Sequence, residues 1–166
     1  MPYAKLGRMT EPRWLSPQER DSWLALLAVS MHMPSRLDSE LHRQARITLF
    51  DYNVLAMLSE ADGRMLAMSQ LAGLTNASLS RLSHVVKKLE TRGWVERTQS
   101  PADARVTMAH LRDEGMEMLE DLAPKHVESV RRMIFDGLSD QDVTDLARIG
   151  RKVIAGIDPA HWIFQE

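Results

Sequence analysis

The apolar spacing of this chain changes period at Gly93, and that change restricts the fold more than any other feature. Upstream, Leu79, Leu82, Val86 and Leu89 recur every three or four residues, the repeat of a helix that buries one face. Downstream, Trp94-Val95-Glu96-Arg97-Thr98 and Val106-Thr107-Met108-Ala109-His110-Leu111 run at a period nearer two, separated by the turn formers Ser100-Pro101-Ala102-Asp103. A helix over 76–92 is therefore expected, capped by Thr75 and stopped by Gly93 in the left-handed conformation, with a β-hairpin after it. Just before it, Met65 to Met68 reads as a short strand, Ser69 as the cap of a brief helix over 70–73, and Leu74-Thr75 as a turn. Two short helices joined by a tight turn and followed by a hairpin make a winged helix-turn-helix.

Helices flank this centre. Ser16-Pro17-Gln18-Glu19 has the form of a capping box with proline at the first helical position. Trp23, Leu26, Leu27, Ser30, Leu37 and Leu41 continue it as an amphipathic rod bent near Pro34. Thr48 caps a second helix carrying Phe50, Val54, Leu55 and Leu58, which ends at Asp62-Gly63. From Asp113, Met116, Leu119, Leu122, Val127, Val130 and Ile134 form one side of a long helix, with a kink expected at Pro124 and an interruption at Gly137. Ser139-Asp140-Gln141-Asp142 then opens a last helix, in which Val143, Leu146, Ile149, Val153 and Ile157 are expected to be buried. The expected class is mainly α with a small β-hairpin wing. Its parts are a flexible arm over 1–15, an N-terminal dimerisation helix over 16–46, the winged helix-turn-helix over 47–112 and C-terminal dimerisation helices over 113–166. A long helix with a single apolar stripe needs a partner to cover it, here a second copy of the chain.

Charge is uneven along the chain. The net value of −2 over 166 residues argues against a polyanionic partner. Yet residues 69–112 hold seven basic residues, Arg81, Lys87, Lys88, Arg92, Arg97, Arg105 and Arg112, against three acidic ones. The acidic excess lies in the flanks, so a positive field sits on the central block. The absence of cysteine excludes disulfides, thiolate metal sites and thiol catalysis. The longest apolar run, 23–29, is too short to span a membrane, and the first residues do not form a signal peptide, so a cytoplasmic protein is expected.

On a helical wheel, Arg81, His84 and Lys88 gather with Ala77 and Thr91 opposite the apolar sector of 76–92. A rod of this width fits the major groove, where each base pair shows its own donor and acceptor pattern. Asn76, Ser78 and Ser80 offer short hydrogen-bonding groups, Arg81 matches guanine O6 and N7, and Ala77 matches a thymine methyl. Lys87 and Lys88 are placed for phosphates. Arg105 lies near the hairpin tip, where it can enter a minor groove, and Asp103 is placed to orient it. Arg97 is a candidate phosphate contact or a partner for Asp103.

Met68-Ser69-Gln70-Leu71-Ala72, Leu79-Ser80-Arg81-Leu82, the run from Lys88 to Arg97, and Pro101-Ala102-Asp103-Ala104-Arg105 resemble the multiple-antibiotic-resistance regulator (MarR) family of bacterial winged-helix repressors. The resemblance covers Thr48 to Gly115. It implies a homodimer with interlocked terminal helices, each subunit placing a recognition helix in a major groove and a wing on a minor groove of double-stranded DNA. By motif position it assigns Ser78, Ser80, Arg81, His84 and Lys88 to the helix, and Asp103 and Arg105 to the wing. Leu111-Arg112-Asp113-Glu114-Gly115 departs from the family pattern, which has a threonine cap where Arg112 stands. The family also implies a small-molecule effector bound between the dimer helices and the winged domain, with Trp23, Met31, His32, Met33 and Phe50 as candidate lining. Core filling is the competing use of such residues.

No acid, base or nucleophile cluster marks an enzyme, and no cofactor is expected; Glu117, Glu120 and Asp121 read as a solvated helix face. The function expected is transcriptional regulation, with repression favoured, by a homodimer on a palindromic operator. Two alternatives stand beside it: a winged-helix module that binds protein rather than DNA, and a zinc-responsive regulator using Glu40, His42, His110 and His126.

Overall fold

The computed structural model describes residues 12–164, in two compact units divided at Pro34. Residues 1–11 of the expected arm lie outside the described residues. The first unit contains the opening of helix α1 (Pro17–Ala45), which continues into the second unit. Its start is the expected capping box: Ser16 N donates to Glu19 Oε2 at 2.7 Å and Glu19 N to Ser16 Oγ at 3.2 Å. Trp23 and Leu26 are exposed, whereas Leu37 and Leu41, in the second unit, are buried.

The second unit holds the winged domain. Helix α2 (Leu49–Glu60) starts at Thr48, whose hydroxyl accepts from Asp51 N while Asp51 Oδ2 accepts from Thr48 N. A short strand β1 (Met65–Ala67) leads into α3 (Met68–Leu74), which begins at Ala67 without a side-chain cap. Ser69 thus lies inside α3 rather than capping it. Helix α4 (Leu79–Thr91) precedes strands β2 (Val95–Gln99) and β3 (Thr107–Leu111). The sheet is antiparallel in the order β1-β3-β2, with Met65 opposite His110 and Val95 opposite Leu111. The strand after Met65 therefore completes the hairpin into a three-stranded sheet.

One core joins these elements. Val54, Leu55 and Leu58 of α2 meet Leu71 of α3, Leu82, Val86 and Leu89 of α4, Val95, Ala109 and Leu111 of the sheet, and Leu119 of the following helix. Each fully buried leucine or valine contributes about 1.5–3 kcal/mol by transfer from water. Leu79, expected on this face, is 55% exposed because it is the first residue of its helix.

Helix α5 (Asp113–Val130) runs through Pro124 as one element and passes into a wider π turn over Arg131–Phe135. Helix α6 (Asp140–Ile157) begins with a second capping box between Ser139 and Asp142. Val143, Leu146, Ile149, Val153 and Ile157 are exposed in the single chain, contrary to expectation, and α6 buries no residue at all. Among the described residues, no helix is long and apolar enough to cross a membrane.

Candidate nucleic-acid interface

Two helix ends set the geometry of α3 and α4. Thr75 closes α3; Asn76 follows in the left-handed region at φ 48°; Asn76 N donates to Gly73 O at 3.1 Å, and Ala77 N to Ala72 O at 2.9 Å. This paired pattern is a Schellman ending, with asparagine where glycine is more usual. Thr75 therefore belongs to the end of α3, its hydroxyl donating to Leu71 O at 2.7 Å. The N-cap of α4 is Ser78, three residues later than expected, and its hydroxyl accepts from Arg81 N at 3.2 Å. At the far end Gly93, at φ 75°, makes the same kind of ending: Gly93 N donates to Glu90 O and Trp94 N to Leu89 O.

Seated on Leu82, Val86 and Leu89, α4 turns Ser80, Arg81, His84 and Lys87 outward. Arg81 lies over the ring of Phe50, its Cζ 4.1 Å from the centroid. Arg81 and Lys87 pair with no carboxylate among the described residues. The other basic residues of the central block are engaged. Arg92 donates to Ala45 O at 3.1 Å and Arg46 O at 2.8 Å and lies over the Trp94 ring. Arg97 pairs with Glu90 at 2.6 Å, not with Asp103. Arg112 reaches Glu96 at 3.4 Å and Glu114 at 3.6 Å.

Lys88 takes a part that the helical wheel did not anticipate. Its ammonium is bonded to Asp51 Oδ2, and Asp51 is only 1% exposed. A buried carboxylate demands a counter-charge, and Lys88 supplies it across the α2–α4 seam. Periodicity cannot reveal such a pair, since the partners lie 37 residues apart.

At the wing tip Asp103 grips Arg105 by three bonds: Arg105 N and Nε donate to Oδ1 at 3.0 and 3.1 Å, and a terminal guanidinium nitrogen donates to Oδ2 at 3.0 Å. The Arg105 side chain holds the Asp103 carboxyl below its ordinary pKa, and Asp103 in turn raises that of Arg105. The guanidinium remains highly exposed. The loop is closed by Ser100 N donating to Val106 O at 2.9 Å.

The residues expected to line an effector pocket divide between the units. Trp23, Met31 and His32 are exposed and Met33 is half-buried in the first; Phe50, in the second, carries Arg81 on its ring. Of the residues considered for zinc, Glu40 pairs with Arg43, His110 faces Glu96 and His126 packs on Tyr52. Among the described residues of one chain, no three His, Cys, Asp or Glu side chains are placed to hold a metal.

A three-helix core with a three-stranded wing, an outward polar helix face and an arginine at the wing tip define a winged helix-turn-helix protein. The MarR family profile matches residues 47–107. Sco3205 of Streptomyces coelicolor, a MarR family transcriptional regulator solved in complex with DNA, is 39% identical, with a TM-score of 0.86 over 90% of this chain and 94% of that one. The chain belongs to the MarR family of transcriptional regulators. The transcriptional repressor MprA of Escherichia coli (strain K12) is 26% identical over 140 residues, covering 81% of this chain and 78% of that protein. The uncharacterized HTH-type transcriptional regulator YkoM of Bacillus subtilis (strain 168) is 37% identical over 84 residues, covering 51% of this chain and 53% of YkoM. The match thus spans about half of YkoM's length.

Proposed function

We propose that the chain is a homodimeric transcriptional repressor that binds a palindromic double-stranded operator. The observation that carries this reading is the outward face of α4: Ser80, Arg81, His84 and Lys87 stand opposite a fully buried apolar row, with Arg81 and Lys87 free of carboxylates among the described residues. Ala77 and Ser78 extend this surface at the start of α4, beside Thr75 and Asn76 in the turn. Arg81 reads guanine, and Lys87 meets phosphate. Arg105, braced by Asp103, enters the minor groove. Arg97 stays beside the phosphates as a lesser contact, its charge shared with Glu90.

The dimer is supported by α6, whose apolar side chains are exposed in one chain and would be covered by the same helices of a second copy. Two copies place two recognition helices one DNA turn apart, roughly 34 Å. Release by a small-molecule effector is part of the reading, with no ligand class named. DNA bound in the complex of Sco3205 and the repressor activity named for MprA agree with it.

Selection from random duplex DNA by the purified protein tests the proposal, and a recovered palindrome is the expected result. Affinity should fall steeply with salt. Salt-insensitive binding with no enriched sequence would favour the protein-interaction module instead.

A further inference from the structure

We propose that Phe50 is a specificity-determining positioning residue: its ring holds the Arg81 guanidinium ready to read guanine at one position of each half-site. This rests on the DNA-binding reading above.

Arg81 is fixed at two points. Its backbone amide is tied to the Ser78 hydroxyl at 3.2 Å, which sets the first turn of α4. Its guanidinium carbon lies 4.1 Å from the Phe50 ring centroid, well inside cation–π range. Phe50 is itself anchored, half-buried against the main core near the start of α2. The ring thus comes from a different helix than the arginine it supports.

The chemistry of the contact suits base reading. A guanidinium resting on a ring face is held by that face alone, and the ring offers no acceptor to its N–H groups. Those donors keep the fork geometry that matches O6 and N7 on the major-groove edge of guanine. A carboxylate brace would occupy part of that fork, as Asp103 does with Arg105. An unbraced arginine would surrender its rotamer freedom only on meeting DNA, which weakens discrimination. A phenylalanine beneath it restricts the side chain beforehand and leaves its donors unspent.

Selection from random duplexes with the full chain, run on wild type and variants, tests this. Wild type should enrich a palindrome, and Arg81→Ala should lose a guanine preference at one symmetric pair of positions. Phe50→Met and Phe50→Leu, which keep bulk but remove the ring face, should lower the preference at that same pair by about threefold to fivefold, the worth of an exposed cation–π contact. Phe50→Tyr should restore it. The slope of affinity against salt should stay at the wild-type value in all three Phe50 variants, since no phosphate contact changes. Unchanged preference in both aliphatic variants overturns the proposal, as does equal weakening at every position or a loss in Phe50→Tyr as large as in Phe50→Met. If wild type enriches no sequence, the DNA-binding reading falls and this proposal with it; a wild-type palindrome indifferent to Phe50 removes this proposal alone.

Discussion

At Gly115 the backbone of α5 lies so close to the sheet that a methyl group there would sit 2.4 Å from Trp94 O and 2.8 Å from Leu111 Cδ1. Gly115→Ala must therefore push helix and strand apart, and we expect it to cost about 1–3 kcal/mol of unfolding free energy, read as a lower urea midpoint at unchanged m value. The missing threonine three residues earlier is compensated differently. Arg112 stands at the N-cap without a side-chain capping bond, its guanidinium turned to Glu96 and Glu114, while its amide donates to Trp94 O at 2.9 Å and Asp113 and Glu114 place negative charge at the helix start. His126 gives a second prediction at this scale. It packs on Tyr52 with ring centroids 4.2 Å apart, its Nδ1 is buried without a hydrogen-bond partner among the described residues, and burial lowers its pKa from the ordinary 6.5. Folding thus favours the neutral ring. Its contribution is complete above pH 6.5 and is lost as pH falls from there toward the lowered folded value, because the unfolded chain takes up the proton first. Urea midpoints measured between pH 8 and pH 5 should decline less steeply in His126→Gln than in wild type.

The elements themselves were largely legible. The winged helix-turn-helix followed from the switch of period at Gly93, and the strand ends moved by a residue or so. The start of α4 was misplaced because Thr75 and Ser78 are both good caps, and the choice between them is made by Asn76 adopting a left-handed conformation. An asparagine just past a short helix was the available signal. The pairing of Lys88 with Asp51 was not legible, since it joins side chains on two helices and leaves no periodic trace. It leads to a contrast that salt can resolve. Lys87→Ala should reduce the slope of log affinity against log salt by about 1. Lys88→Met should leave that slope alone and destabilise the fold by about 1–3 kcal/mol, since it strands a carboxylate at 1% exposure while the lysine itself is partly solvated. Equal slope changes in the two variants would return Lys88 to the phosphate contacts.

For the molecule as a whole, α6 is where the periodicity of the sequence and the burial in the structure part company. Its apolar stripe has the period of a buried face, yet it is exposed in the single chain, and the proposed dimer is what would cover it. Leu146 is 48% and Ile149 50% exposed. Leu146→Glu combined with Ile149→Glu should convert the proposed dimer to monomers in sedimentation velocity and weaken operator binding, while the winged domain keeps its far-ultraviolet dichroism. A double variant that still sediments as the dimer would exclude α6 from the interface.

The Arg92 clasp has a consequence for how any of this could be controlled. It ties the end of α4 to the carbonyl oxygens of Ala45 and Arg46 at the end of α1. The donors are the planar fork of one guanidinium and the acceptors are two backbone carbonyls, so the position of one helix end fixes that of the other. Parting the two helix ends therefore breaks both bonds at once, and α4 cannot shift along its axis while the clasp holds.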